Sequence, residues 1–258
     1  MAQRVTQQLI ESDWLNAAPT LPKASIDMLY ADLPFNTGLR QRTPPNAKKR
    51  VAATEATSYA DSWPTPESYI AWLRERLEAT RPALKSSATI LLHCDWRVCH
   101  RVRLLLDDML GDDRFVNHLI WQYGLGGSSP RTFARKHDDI LFYCVDPQKY
   151  FFEPPRVPAT SQKLKGQTKK ATDVLDIPSI NNMAAERTGY PTQKPLALLE
   201  LLVAACCPPK GVVLDPCCGS GTTLVAAQKL GRGWIGFDAN PAAIKVVRKR
   251  LSETHPSK

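Results

Sequence analysis

Short apolar runs alternate along the chain with segments in which apolar residues recur every three or four positions. The runs predict buried strands, and the periodic segments predict amphipathic helices. Strands are predicted at residues 24–31, 88–93, 117–123, 140–145, 212–215 and 233–238. Helices are predicted at residues 67–84, 98–110, 196–207, 222–231 and 241–251, with a further helix start after Asp13. Strands that alternate with helices are typical of an α/β fold with a mostly parallel sheet.

The clearest unit is VVLDPCCGSGTTL at residues 212–224. An apolar strand ends in Asp215, a turn with Gly219 and Gly221 follows, and a helix-forming segment comes next. Such a strand, turn and helix hold a nucleotide in doubly wound folds. Leu224 stands where a dinucleotide site has its third glycine, and no Gly-Lys-Ser/Thr follows. The turn therefore favours a nucleoside without a pyrophosphate, and S-adenosylmethionine (AdoMet) fits that description.

Two further strands also end in an acid. Asp238 follows the glycine turn at about the 20-residue spacing of a carboxylate that binds ribose hydroxyls. Asp32 opens the sequence Asp-Leu-Pro-Phe at a strand end, where open α/β sheets bind their ligands. A plain turn is an equal alternative for Asp32, because Asp and Pro are turn formers. His93 and Asp95 end another strand and either line a pocket or, for the histidine, make a structural hydrogen bond.

Charge and cysteine content narrow the class of protein. The 258 residues carry a net charge of +9, which favours a polyanionic partner and nucleic acid above others. A basic enzyme whose charge only aids solubility is the alternative. The seven cysteines have no CxxC spacing, so we expect buried, reduced thiols and no metal, with a zinc site as the lesser alternative. No secretory segment or membrane-spanning run is visible, which predicts a cytoplasmic protein.

Three polar, basic segments are candidates for the nucleic-acid surface. They are a loop at 39–62 that we expect to be mobile, the connection 124–137, and a Pro- and Lys-rich stretch with three aromatic residues at 146–187. Basic side chains interleaved with aromatic ones are typical of such surfaces, although a solvated insertion without a role is the alternative. The residues predicted to contact DNA are Arg40, Arg42, Lys48, Lys49, Arg131, Arg135, Lys136, Lys163 and Lys165.

Three motifs in this order resemble the β class of amino-methylating DNA methyltransferases. Asp32-Leu33-Pro34-Phe35 is similar to the DPPY tetrapeptide of that family, Thr192-Gln193-Lys194-Pro195 to its TQKP turn, and the Cys217–Gly221 stretch to its FxGxG loop. The resemblance covers about residues 7–251. It implies a Rossmann-like, mixed seven-stranded sheet in a single domain, 1–258. The catalytic part would span 7–145, the target-recognition insertion 146–187 with loop 124–137, and the cofactor part 188–251.

The resemblance also implies the role of each residue. Asp32, Leu33, Pro34 and Phe35 would be catalytic. The implied AdoMet-binding residues are Asp13, Thr192, Gln193, Lys194, Pro195, Asp215, Cys217, Gly219, Gly221, Thr222 and Asp238. The chain departs from the family pattern at Ser12, Leu33, Phe35 and Cys217, but none of these changes removes a reacting group.

The chemistry of an exocyclic amine explains these residue types. Its lone pair is delocalised into the ring, so acceptors on its hydrogens, here the Asp32 carboxylate and the Leu33 carbonyl, would free that pair for attack on a methyl group. Phe35 would stack on the base after it leaves the duplex. Asp in the first position usually accompanies adenine N6 methylation in this family, and cytosine N4 is the alternative.

Other functions and partners stay open at this stage. The chain could methylate RNA or a protein amide, bind DNA with an inactive site, or bind AdoMet without catalysis. Double-stranded DNA is the expected partner. A second copy in a dimer and a cognate restriction endonuclease both suit the family, and the location implied is the nucleoid of a bacterial or phage system.

Overall fold

The central feature is an eight-stranded sheet in the order β1-β12-β11-β2-β5-β7-β6-β10. The computed structural model describes residues 6–41, 59–124, 130–159, 165–181 and 184–254. The sheet strands are β1 Gln7–Glu11, β2 Ile26–Asp32, β5 Leu84–Cys94, β6 Phe115–Gln122, β7 His137–Cys144, β10 Val174–Asp176, β11 Val212–Asp215 and β12 Gly233–Asp238. Neighbouring strands are parallel except where β7 pairs with β5 and β6. Two small antiparallel pairs, β3 Leu39–Gln41 with β4 Tyr59–Asp61 and β8 Arg156–Pro158 with β9 Thr168–Lys170, lie outside this sheet.

Helices cover both faces of the sheet. They are α1 Trp14–Ala17, α2 Pro66–Thr80, α3 Cys99–Leu110, α4 Leu196–Cys206, α5 Thr222–Lys229 and α6 Pro241–Ser252. Side chains of α1, α2 and α3 pack with Leu29 and Phe237 on one face. Side chains of α4, α5 and α6 pack with Met28 and Val213 on the other face. Successive strand residues point to opposite faces, so the continuous apolar runs of the central strands supply both cores.

The predicted α/β class and the mostly parallel sheet are confirmed, with one strand more than the seven expected. The extra edge strand β10 comes from the segment expected to be an insertion, and it pairs with β6. The helix predicted to reach Leu84 ends at Thr80, because Pro82 follows and cannot donate a backbone hydrogen bond. Strand β1 was not predicted, since its sequence QQLIE has no alternating pattern.

Within the described ranges, no helix is both long and apolar enough to cross a bilayer. All seven cysteines are free thiols, as expected, and six of them are buried. Residues 42–58, within the loop predicted to be mobile, lie outside the description.

Candidate functional site

The carboxyl ends of three neighbouring parallel strands, β12, β11 and β2, lie at one edge of the sheet. Asp32, Asp215 and Asp238 are the last residues of β2, β11 and β12. A cavity of about 330 Å³ opens there, within the range of roughly 300–1,000 Å³ usual for small-molecule sites. Eleven of the predicted site residues line it: Asp13, Asp32, Pro34, Thr192, Gln193, Lys194, Asp215, Cys217, Gly219, Thr222 and Asp238. The fold thus gathers motifs that are up to about 200 residues apart in the chain.

The two glycines of the turn have different surroundings. Gly219 has φ +50° and borders the cavity, where a Cβ atom would lie 3.3 Å from the Tyr190 ring. Gly221 has φ +76° and does not line the cavity; a Cβ there would lie 2.8 Å from a methyl group of Val247. Gly219 therefore keeps the backbone open to a ligand, whereas Gly221 lets α6 pack closely against the start of α5.

The carboxylate of Asp238 is fixed by the turn it faces. Its Oδ2 accepts a hydrogen bond of 2.8 Å from the Gly219 N–H, and its Oδ1 accepts one of 2.8 Å from the Asn240 N–H. Burial raises the pKa of this carboxyl, although the two backbone hydrogen bonds oppose that rise. Each oxygen keeps a further lone pair that could accept from a hydroxyl.

Asp215 is the most deeply buried acid of the site. Burial raises its pKa to about 7, against the opposing hydrogen bonds from Thr223 and the Cys217 N–H, and the charges of Asp32 and Asp238 raise it further. Cys217 lines the cavity beside it, and burial raises the pKa of that thiol well above its usual value. A carboxyl that titrates near neutrality inside a ligand cavity is typical of functional sites.

Three tryptophan side chains form one part of the cavity wall. None of them was predicted from the sequence to belong to the site. Trp14, Trp63 and Trp72 line it, and the rings of the last two lie 5.0 Å apart. Arg76 stacks over Trp72 at 4.4 Å and donates from Nη2 to both oxygens of Asp13 at 3.0 Å. Asp13 also caps α1, the helix predicted to start after it, by accepting from the Leu15 N–H at 2.9 Å. The sequence could have indicated the Arg76–Asp13 ion pair, because Arg76 falls on the apolar face of the predicted helix, where a charged side chain needs a partner.

Asp32 and Lys194 form another group on the lining of the cavity. The Lys194 Nζ lies 2.8 Å from Oδ1 and 2.6 Å from Oδ2 of Asp32, and it also sits 5.2 Å from the centre of the Phe35 ring. Lys194 is only 8% exposed, so this ion pair is largely shielded from water. Pro34 lines the cavity, while the Leu33 side chain is buried in the core and its N–H donates to the His93 carbonyl at 3.0 Å.

Internal hydrogen bonds hold the turn that carries Lys194. Gln193 Oε1 accepts from the N–H and hydroxyl of Thr188, each at 2.8 Å, and its Nε2 donates to the Glu186 carbonyl at 2.8 Å. Thr192 lies in the left-handed region at φ +57°. Pro195 is the residue before α4 and does not line the cavity. Gln193 and Pro195 thus shape the turn around the cavity.

Thr222 links this turn to the glycine turn. Its hydroxyl donates to the Lys194 carbonyl at 3.2 Å and accepts from Arg250 Nη1 at 3.0 Å. The same guanidinium donates to the Ser220 carbonyl at 2.7 Å. Burial lowers the pKa of Arg250 to about 10, so the group stays charged at neutral pH.

His93 lies beside the cavity and does not line it. Its ring is fully buried and hydrogen-bonded to Tyr30 and Asp138, which agrees with the structural reading of this histidine. Asp95 accepts hydrogen bonds from the Arg97 backbone and guanidinium, and burial raises the pKa of its carboxyl despite them.

Part of the predicted nucleic-acid surface lies at the same edge of the sheet, because β7 begins where β5 ends. Arg131, Arg135 and Lys136 precede β7, and the Arg135 guanidinium stacks 4.0 Å over the exposed Trp96 ring. Phe133, between them, is 99% exposed. Lys165 is exposed elsewhere on the chain. The side chain of Arg40 and the residues Arg42, Lys48, Lys49 and Lys163 lie outside the described part of the structure.

One group of possible metal ligands occurs among the described residues, on the α3 face of the sheet. The donor atoms of Cys99, His118 and Asp139 lie within 4.8 Å of one another. The His118 Nε2 is 2.7 Å from Asp139 Oδ1 and 3.8 Å from the Cys99 sulfur, so an ordinary hydrogen bond accounts for the closest contact. The absence of a metal stays a prediction.

The residues around the main cavity fit AdoMet. The rings of Trp14, Trp63 and Trp72 offer flat faces on which a planar base can stack, and Asp238 offers acceptors for hydroxyl groups. Asp215 offers a buried carboxylate for a cationic amine, and the side of the cavity at Gly219 has no Cβ atom to limit a ligand's approach.

Comparison with known proteins gives matches along nearly the whole chain. A family model described as DNA methylase (N6_N4_Mtase) matches residues 26–249. The type II methyltransferase M.HpaI of Haemophilus parainfluenzae is 28% identical over 249 residues, covering 95% of this chain and 74% of that protein. The type II methyltransferase M.ScaI of Streptomyces caespitosus is 34% identical over 151 residues, or 53% of this chain and 50% of the relative. The matches thus span half the length of one relative and about three quarters of the other.

Solved structures share the fold. A crystal structure of an M1.HpyAVI–SAM complex superposes with a TM-score of 0.64 at 19% identity, covering 95% of this chain and 99% of that one. The cytosine-N4-specific PvuII DNA methyltransferase superposes with a TM-score of 0.66 at 16% identity, covering 96% and 87%. At these identities the superpositions establish the architecture of the chain and leave the target base open.

Proposed function

Because this chain belongs to the N6/N4 DNA methylase family, we propose that it methylates the N6 amino group of adenine at a specific site in double-stranded DNA, with AdoMet as methyl donor. The observation that supports this most is the position of Asp32, at the same cavity as Asp215, Gly219 and Asp238. A candidate amine acceptor and a candidate cofactor site therefore share one enclosure. When bound, AdoMet supplies a methyl group activated by a sulfonium centre.

Asp32 and the Leu33 carbonyl are the proposed acceptors for the two amine hydrogens of the target base. Accepting both hydrogens would draw the amine nitrogen toward tetrahedral geometry and free its lone pair. The Asp32 carboxylate can do this while paired with Lys194, because a carboxylate offers about four lone-pair sites and the ammonium uses two. Pro34 restricts the turn, and such positioning can account for several kcal/mol of barrier reduction.

The cofactor would be held along the rest of the cavity. We assign the methionine ammonium to Asp215, the ribose hydroxyls to Asp238, and the adenine ring to the aromatic wall beside Asp13 and Trp72. Gly219 lets the cofactor approach the backbone. We assign Lys194 as the ion-pair partner of Asp32 and not as a ligand of the cofactor carboxylate. Its ammonium group already contacts both carboxylate oxygens of Asp32.

The target base would have to leave the duplex to reach Asp32. Flipping costs a few kcal/mol, and stacking on an aromatic ring recovers about 1–3 kcal/mol per base. Phe35 is the proposed stacking ring, placed between Lys194 and His93. Arg131, Arg135 and Lys136 are the proposed phosphate contacts, and they surround the exposed Phe133 at the same edge of the sheet.

Cytosine N4 is the alternative target, because it presents the same amine geometry to Asp32. The test is to incubate the protein with labelled AdoMet and DNA, RNA or protein, and then to identify the modified nucleoside or residue. We expect N6-methyladenine from DNA. N4-methylcytosine from DNA would change the assigned target base from adenine to cytosine. Label found only in RNA or protein would overturn the proposal.

Asp32→Ala is the matching variant for the catalytic assignment. It should abolish transfer and leave AdoMet affinity near that of the wild type. Full activity in this variant would show that Asp32 is not the acceptor. A dimer, a cognate endonuclease and a nucleoid location stay predictions from the family resemblance.

A further inference from the structure

A chain of buried polar groups begins beside Asp32 and runs away from the cavity. Tyr30 stands two residues before Asp32 on β2, so both side chains point to the same face of the sheet. The Tyr30 hydroxyl lies 2.8 Å from His93 Nδ1. His93 Nε2 lies 3.3 Å from Asp138 Oδ2, and the Tyr123 hydroxyl donates to Asp138 Oδ1 at 3.0 Å.

The chain is shielded at its centre and reaches solvent at its far end. His93 is 0% exposed, Tyr30 is 1% exposed and Asp138 is 8% exposed. Tyr123 is partly exposed, and its ring lies against Trp121 at 4.9 Å. Buried polar groups of this kind are costly unless each one has a partner, and here each has one. The arrangement begins at Tyr30, which lines the same cavity as Asp32, and ends at the protein surface.

The hydrogen-bond partners determine the tautomer of His93. Burial raises the pKa of Asp138, but the hydrogen bond from His93, the charge of Lys194 and the hydrogen bond from the Tyr123 hydroxyl together lower it, so Asp138 is ionised and accepts only from a neutral His93 ring. The His93 hydrogen must then sit on Nε2, which leaves a lone pair on Nδ1. Burial and the charges of Asp32, Asp215 and Asp138 raise the pKa of Tyr30, so its hydroxyl keeps its hydrogen and donates it to Nδ1.

Methylation of an amine leaves a surplus proton in the site. The nitrogen that attacks with its lone pair gains a methyl group and a positive charge, and it must lose one hydrogen to become the neutral product. Asp32, which accepts that hydrogen, cannot reach His93 directly, because its Oδ1 lies 4.0 Å from Nδ1. The Tyr30 hydroxyl lies within hydrogen-bond distance of Nδ1 and can both give and receive a hydrogen.

We propose that Tyr30 and His93 carry the amine proton away from Asp32, and that Asp138 holds His93 in the tautomer that can receive it. The inference rests on the proposed methyl transfer. The N–H bond of the methylated amine breaks, its electron pair stays on nitrogen, and the proton moves to Asp32. Asp32 passes a proton to the Tyr30 oxygen as the Tyr30 hydrogen moves to His93 Nδ1. The resulting imidazolium, paired with Asp138 through Nε2, holds the proton until the product leaves; its Nδ1 hydrogen then returns through Tyr30 to solvent in the emptied cavity, which restores the starting tautomer.

The first test measures the tautomer without any cofactor or substrate. Nitrogen-15 NMR of histidine-labelled protein should show the hydrogen on Nε2 in the ring whose signals vanish in His93→Gln. Asp138→Asn should shift the tautomer balance of His93, because an amide side chain, unlike an ionised carboxylate, can donate a hydrogen bond to Nε2 as well as accept one. A hydrogen on Nδ1 in the wild type would overturn the proton route.

The second test separates proton removal from binding. Tyr30→Phe removes only one oxygen atom, so we expect AdoMet affinity within about twofold of wild type and a single-turnover rate lower by about 10²-fold, the lower end usual for a lost general base. His93→Gln should behave alike. The wild type should show a solvent deuterium isotope effect that Tyr30→Phe changes. Tyr143→Phe is the matched control, since that buried hydroxyl bonds to Asp107 away from the cavity.

The outcomes distinguish this inference from the function on which it rests. A wild-type chain that methylates DNA while Tyr30→Phe keeps the full rate would overturn the proton route alone. A wild-type chain that transfers no methyl group to DNA would overturn the proposed function itself. Equal losses in Tyr30→Phe and Tyr143→Phe would assign the effect to packing and would also overturn the route.

Discussion

The ammonium nitrogen of Lys194 lies 2.6 Å and 2.8 Å from the two carboxylate oxygens of Asp32, although 162 residues separate them. The pair joins the end of β2 to the turn before α4. It therefore couples the candidate catalytic acid to the segment that closes the cavity.

Lys194→Met should reduce the rate of methyl transfer more than it reduces AdoMet affinity, because it leaves the Asp32 carboxylate without its counter-ion. We expect at least a tenfold fall in the single-turnover rate, equivalent to about 1.4 kcal/mol, and a change in cofactor Kd that is smaller than this. Lys229→Met is the control, since Lys229 pairs with Glu200 on the outer helices. A larger effect on the Kd for AdoMet than on the rate of methyl transfer would contradict this prediction and would show that Lys194 binds the cofactor.

A double-mutant cycle measures the energy of the same pair. Lys194→Met alone should lower the free energy of unfolding, because breaking a shielded ion pair leaves one charge without a partner. Adding Asp32→Asn should recover part of that loss. Additive effects in urea unfolding would show that the two side chains do not interact in solution.

AdoMet affinity should rise with pH through neutrality. Burial raises the pKa of Asp215 to about 7, so most of this carboxyl is protonated at pH 6 and ionised at pH 8. Only the ionised form attracts the methionine ammonium, so we expect about tenfold tighter binding at pH 8 than at pH 6. Calorimetry at the two pH values measures it. Asp215→Asn should bind weakly with no such pH dependence, whereas Asp238→Asn should bind weakly and keep a pH dependence that is shifted to lower pH, because the Asp238 charge no longer raises the pKa of Asp215.

Phe133 should assist in extruding the target base. Its ring is 99% exposed between two arginines at the edge where Asp32 lies, and an apolar ring can fill the gap left in a duplex. Phe133→Ala should reduce the fluorescence of 2-aminopurine placed at the target position, and Phe133→Trp should retain it. A duplex with an abasic site opposite the target should restore activity to Phe133→Ala, because flipping then costs less. Phe152→Ala is the control on another surface; unchanged fluorescence in Phe133→Ala would contradict the assignment.

Gly221→Ala should destabilise the fold more than Gly231→Ala. Both residues have positive φ, at +76° and +68°, which costs an alanine about 1–2 kcal/mol. Only at Gly221 would the new methyl group meet Val247, at 2.8 Å, and such overpacking adds about 1–3 kcal/mol. Urea unfolding of both variants measures the difference. Val247→Ala should relieve part of the Gly221→Ala penalty; equal losses in the two glycine variants would contradict the packing role.

Purified protein should contain no stoichiometric metal. The Cys99, His118 and Asp139 cluster has three donors, and the 2.7 Å hydrogen bond between the last two accounts for their contact. We expect elemental analysis to find well under one zinc ion per chain and chelators to leave Tm unchanged. His118→Ala serves as the comparison. One zinc ion per wild-type chain that is lost in this variant would replace the prediction with a structural metal site.

The amino-acid sequence by itself determined the main strands and helices and the motifs at their ends. Strands β11 and β12 match the predicted bounds at 212–215 and 233–238, because continuous apolar runs between polar turns can only be buried. The acids at those strand ends follow from the same pattern, since a run of buried strand positions stops at the first residue that needs water or a partner. The order of the three motifs was equally visible and carried the family resemblance.

Tertiary structure decided which residues meet. Lys194 on Asp32, Arg76 on Asp13, and the Tyr30–His93–Asp138 chain each join segments at least 45 residues apart. Sequence periodicity gives the face of one element and carries no information on which other element packs against it. The family resemblance assigned Lys194 to the cofactor, and the sequence pattern left His93 undecided, because neither shows which elements pack together. The strand order, which places β2 between β11 and β5, is what puts a candidate methyl acceptor site beside a candidate donor site.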